Sequence, residues 1–137
     1  MLNKRAFSYL SWKIRRRHGH RTAVLRALTQ AVQATGCDQI AVTGDLTQLA
    51  LPAEFEDARQ QLQGLGPPQN VFVVPGNHDA LVPTAWEDGF ARWADYMAPD
   101  DAETGSSPGF PTLRVRGPVA LIGISTAVPT RPLSAAG

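Results

Sequence analysis

Val71-Phe72-Val73-Val74-Pro75-Gly76-Asn77-His78-Asp79 decides the reading of this 137-residue chain. Four apolar residues run into a proline and a glycine. A short apolar run closed in this way reads as a buried strand ending in a tight loop. The pattern also stands earlier, where Ile40-Ala41-Val42-Thr43 leads into Gly44-Asp45-Leu46-Thr47. Two such strands with a helical stretch between them read as parallel neighbours. Ligands of open α/β sheets bind outside the carboxyl ends of the strands. The sequence therefore puts the carboxylate of Asp45, the amide of Asn77 and the imidazole of His78 where a site should form. Oxygen and nitrogen donors of this kind suit hard or borderline divalent cations.

Working outward, the pattern alternates between strand and helix. Val24, Leu25, Leu28 and Val32 stand at helical spacing between about Arg21 and Thr35, and Gly36 ends the run. Pro52 opens a second helix with Phe55, Ala58, Leu62 and Leu65 on one face, stopped by Gly64-Leu65-Gly66-Pro67-Pro68. Trp86, Phe90, Trp93 and Met97 form a third stripe at helical spacing, which reads as core packing before it reads as a stacking platform. Gly105-Ser106-Ser107-Pro108-Gly109 is a turn. Thr112-Leu113-Arg114-Val115-Arg116 then alternates, Gly117-Pro118 turns, and Val119 to Ile124 runs apolar, which together read as a hairpin.

Hydrophobic residues make up 43% of the chain and charged residues 18%, the usage of an ordinary globular domain. One core and one domain fit this length. Cys37 is the sole cysteine, so no disulfide can form within the chain, and a reducing, cytoplasmic setting is the default. Preceding a buried strand, Cys37 reads as a small core residue. No apolar run approaches the ~20 residues of a membrane span.

The net charge is +1, but its distribution is uneven. Lys4, Arg5, Lys13, Arg15, Arg16, Arg17 and Arg21 are seven of the thirteen basic residues, and no acid precedes Asp38. Three readings stand: a solvated basic loop and helix start, a patch for nucleic acid or anionic lipid, and a transit peptide.

The G-D pair at Gly44-Asp45 and the G-N-H-D run at Gly76-Asn77-His78-Asp79 resemble motifs of the calcineurin-like metallophosphoesterases. That family carries D-x-H, G-D, G-N-H-D/E, a lone H and G-H-x-H, in that order. Two of these are present here, in the right order and strand context. No Asp-x-His precedes Asp45, and the histidines are His18, His20 and His78 alone. The resemblance implies a layered α/β phosphoesterase fold over residues 1–137, a single partial domain incomplete at both ends. It implies metal-dependent hydrolysis of a phosphoester substrate, with two divalent metals (Mn, Fe or Zn) in the complete domain. Asp45 matches the carboxylate that bridges the metals and Asn77 the amide ligand to one of them. His78 matches the residue that donates a proton to the leaving group or stabilises the transition state. Asp79 matches the acid that orients that imidazole. Asp45 and Asn77 are the only family metal ligands present. The chain as written is therefore expected to be an inactive fragment of the enzyme.

Each residue also has an ordinary reading. Asp45 can cap a turn, Asn77 after Gly76 is a common turn pair, His78 can be a plain loop histidine, and Asp79 can be a helix N-cap. What argues for chemistry is all four together at two adjacent strand ends. A non-catalytic fragment that binds nucleic acid or another polyanion through its basic start is the alternative from a different class. A degenerate member that holds one metal weakly is a third.

Overall fold

A computed structural model describes residues 4–6, 9–10, 22–102 and 109–131. Helix α1 spans Thr22–Ala34, strand β1 Ile40–Val42, helix α2 Pro52–Leu65 and strand β2 Val71–Val73. Two 3-10 turns follow at Trp86–Asp88 and Phe90–Trp93. Helix α3 (Ala94–Met97) and strands β3 (Thr112–Arg116) and β4 (Val119–Gly123) complete the order. β1 and β2 pair in parallel, Ile40 opposite Val71 and Val42 opposite Val73, with α2 as the connection. β3 and β4 form an antiparallel hairpin, Thr112 opposite Gly123 and Arg116 opposite Val119. This is the α/β mixture read from the sequence.

α2 forms where the sequence marks it. Pro52 sets the first turn, where a missing N–H costs nothing. Glu54 reaches back, and its Oε2 accepts from the N–H groups of Leu49 (2.8 Å) and Leu51 (3.0 Å). Those donors precede the helix and have no partner within it. Phe55, Ala58 and Leu62, spaced by three and four, are fully buried against Val71, Val73, Trp93 and Met97. Phe55 meets the rings of Phe90 at 5.3 Å and Trp93 at 5.4 Å, within the range of favourable aromatic pairs.

Trp93 and Met97 are buried core residues, and Trp86 and Phe90 pack on the same core. The stripe does not lie on one helix, however. Gly89, at φ −130° and ψ −104°, separates the two 3-10 turns. A Cβ there would stand 3.2 Å from the Phe55 ring, so the chain breaks its helix to bring its backbone onto Phe55.

Several expectations need correction. Cys37 is exposed, not buried: it sits in the turn beyond α1, past Gly36 at φ +63°, before the chain enters the core. β1 is not a fully buried strand either, because Ile40 and Val42 are half-buried and Ala41 faces outward. The apolar stripe of α1 is largely open, with Val24 and Leu28 exposed. α1 is tied to α2 by the Gln33 Nε2 bond to the Gly64 carbonyl at 2.6 Å.

The hairpin turns its polar residues inward. Thr112 and Arg114 are buried, while Leu113, Val115 and Ile122 are exposed. Arg114 explains the inversion. Its Nε donates to Ala98 O (2.8 Å), Nη1 to Pro68 O (2.6 Å) and Val71 O (3.0 Å), and Nη2 to Asp95 O (3.1 Å). The guanidinium carbon lies 4.7 Å from the Phe72 ring centroid, a cation–π distance. One side chain thus ties β3 to the entry of β2 and the end of α3.

Asp100 fastens the same strand from outside. It accepts from Val115 N–H at 2.7 Å and from Arg116 Nη1 at 2.8 Å. The Val115 N–H, with the Arg116 guanidinium behind it, holds the Asp100 carboxyl below its ordinary 3.8. A carboxyl lowered by folding adds stability above its ordinary pKa and loses that contribution as pH falls through the folded value. Acidification below the ordinary carboxylate range should therefore release the Val115 amide first. Hydrogen exchange at Val115 should accelerate there ahead of β2, and Asp100→Asn should remove the difference.

Candidate functional site

The two strand ends turn into loops that touch through their backbones. Gly44, at φ +86°, lies so close to Pro75 and Gly76 that a Cβ would strike Gly76 N. A Cβ on Gly76 would in turn strike the Asp45 carboxylate. Glycine at both positions is what lets the loops meet. Asp45 follows in a left-handed conformation at φ +56°, uncommon outside glycine, asparagine and aspartate.

Asp79 is the buried centre of the contact, with no exposed surface. Its Oδ2 accepts from the N–H of Asp45 at 2.8 Å and of Gly76 at 2.9 Å, and its Oδ1 from the N–H of Thr47 at 2.8 Å. Burial pushes its pKa up, while the N–H groups of Gly76, Thr47 and Asp45 pull against that shift. Asp45 Oδ1 accepts from the His78 N–H at 3.0 Å, which leaves Oδ2 for another partner. Asn77, between Gly76 and His78 in the same loop, is half-buried. Asp45, Asn77, His78 and Asp79, singled out from the sequence, thus come together at the carboxyl ends of β1 and β2.

The imidazole meets the main chain of the loop after β1. His78 Nδ1 lies 3.0 Å from the main-chain oxygen of Gln48, while the Asp79 carboxylate is taken up by main-chain N–H groups. Thr47, 5% exposed, donates its hydroxyl to the His78 carbonyl at 3.2 Å. Sequence reasoning gave Thr47 and Gln48 no role. Gln48 acts here through its carbonyl, which every residue carries, so its side chain gave no signal. His18 and His20 lie outside the described residues, as do Lys13, Arg15, Arg16, Arg17 and Arg21. Lys4 and Arg5 bond to main-chain oxygens, Lys4 to Thr130 and Arg5 to Leu49 and Ala50.

The family model for calcineurin-like phosphoesterases matches residues 17–127, which include both loops. The chain belongs to that family. Its members hydrolyse phosphoesters and generally depend on two metal ions. No curated protein and no solved structure matches the chain.

The donors at the site suit a hard cation in kind but not in number. Among the described residues, no three or more His, Cys, Asp or Glu side chains gather to hold a metal ion. Asp45 Oδ2 and the Asn77 amide oxygen are two donors, whereas a metal ion needs four or more. The described residues therefore do not fit a complete dinuclear centre. Among the described residues no helix is long and apolar enough to cross a membrane.

Proposed function

We propose that the loops after β1 and β2 form the phosphoester-handling site of this chain. The observation that supports this reading is the bond from the His78 main-chain N–H to Asp45 Oδ1 at 3.0 Å, which ties the loop carrying Asn77 and His78 to the Asp45 carboxylate. In this reading Asp45 and Asn77 would be ligands to a divalent cation, which would supply an activated water and charge stabilisation to the phosphoester. His78 Nε2 faces the leaving-group oxygen and gives it a proton or stabilises its developing charge, a contribution of roughly 100- to 10,000-fold where it operates. Asp79 holds the loops in register. Manganese, iron and zinc all suit oxygen and imidazole donors.

Manganese is the practical probe because it broadens nearby NMR signals. Titrating it into the full chain should broaden the amides of Asp45, Asn77 and His78 first, and Asp45→Asn should abolish the effect. Broadening centred elsewhere, or unchanged in Asp45→Asn, would overturn the reading. Hydrolysis of a chromogenic phosphodiester by this chain should stay at background, because the two donors among the described residues do not close two coordination spheres. Manganese-dependent turnover that disappears in Asp45→Asn would refute that expectation.

A further inference from the structure

We propose that Thr47 and Gln48 are positioning residues that fix the tautomer of the His78 imidazole and so make Nε2 the working nitrogen. The inference rests on the reading above for what Nε2 does, but the state of the ring can be measured without substrate or metal.

The geometry begins with the ring. His78 Nδ1 stands 3.0 Å from the Gln48 main-chain oxygen. A carbonyl oxygen only accepts, so Nδ1 carries a proton whether the ring is neutral or charged. In the neutral ring the lone pair is then on Nε2. In the charged ring the transferable proton is there. The Gln48 side-chain nitrogen, 3.5 Å from the same Nδ1, is itself a donor and cannot replace the carbonyl.

That carbonyl is kept opposite the ring by the main chain on its amino-terminal side. Thr47, the residue before it, is buried and tied twice to the other loop. Its N–H donates to Asp79 Oδ1 at 2.8 Å and its hydroxyl to the His78 carbonyl at 3.2 Å. The hydroxyl also lies against the Asp79 carboxylate. Thr47 therefore references the main chain of Gln48 to the main chain of His78, the residue whose ring it must meet. The tautomer is a discriminating signature, because free neutral histidine favours the proton on Nε2.

The test is a two-bond proton–nitrogen spectrum of the full chain labelled with 15N-histidine, at a pH where the ring is neutral. His78→Gln identifies the His78 signals by their loss. The expected result is a protonated Nδ1 and an unprotonated Nε2 at His78. Thr47→Val removes the hydroxyl at nearly constant shape and should move the signals toward the Nε2-protonated form. Thr47→Ser keeps the hydroxyl and should restore the parent spectrum.

A protonated Nε2 in the parent chain would overturn the proposal, as would a Thr47→Val spectrum identical to the parent. If Thr47→Val does not fold, the parent and Thr47→Ser spectra decide: Nδ1 protonated in both supports the proposal, and any other pair sinks it. The expected tautomer without manganese broadening at Asp45 would leave the positioning intact while removing the metal reading.

Discussion

Asp79→Ala is expected to lower stability by about 3 kcal/mol, because it leaves main-chain N–H groups of both loops without their acceptor. The carboxylate satisfies the main-chain N–H groups of Asp45, Thr47 and Gly76 at once. The Thr47 bond is buried and the other two are half-buried, so a stranded donor costs about 1–3 kcal/mol at Thr47 and less at Asp45 and Gly76, where water can enter. A domain of this size has a total stability of about 5–15 kcal/mol, so the loss is a large fraction of it. Asp79→Asn should lose nearly as much, because its NH2 must face an N–H. Urea unfolding followed by tryptophan fluorescence reads the effect as a lower midpoint at unchanged slope. A change within about 0.5 kcal/mol, the range of ordinary surface substitutions, would show that the clamp contributes nothing.

Arg114→Met should cost about 3 kcal/mol or more. The variant keeps most of the volume and removes every donor. The carbonyls of Pro68, Val71, Asp95 and Ala98 then lose their guanidinium partner, each at about 1–3 kcal/mol where water cannot reach. Burial holds the Arg114 pKa below its ordinary value, with the Arg116 charge acting in the same direction. The desolvated charge that Met removes offsets part of the loss, which is why the expected figure lies below a sum over four bonds. Arg114→Lys should fall between, since one ammonium cannot span a planar fork of contacts. Hydrogen exchange would locate the damage: the β3 and β4 amides should open while those of α2 stay protected. Equal stability of the parent and Arg114→Met would show that packing of the arginine stem alone holds the hairpin.

The parts of the fold legible in the sequence were those set by local signals. Pro52, Gly36 and the spacing of Phe55, Ala58 and Leu62 marked helices because capping and periodicity act over a few residues. The runs at Ile40 and Val71 marked strands, and their glycines marked the loops that carry Asp45 and Asn77. What could not be read depends on partners distant in sequence. Nothing in Thr112-Leu113-Arg114-Val115-Arg116 says that the arginine faces inward, because its four acceptors lie 16 to 46 residues away. Cys37 looked apolar and adjacent to a strand, yet the turn carrying it never enters the core. The contacts of Asp79 are illegible for the same reason: its partners are backbone amides, which no residue letter records.

The outward face of the hairpin bears on how this protein can be handled. Because Thr112 and Arg114 occupy the inner positions, Leu113, Val115 and Ile122 meet water, with Ile124 beside them. Environment-sensitive dyes such as ANS fluoresce when they settle on such a surface, whether or not the polypeptide has melted. A thermal-shift trace recorded with a dye of this kind would start from a high baseline and rise little on heating, so a well-folded sample could be mistaken for a damaged one. Trp93, sealed in the core at 1% exposure, gives an intrinsic signal free of that artefact.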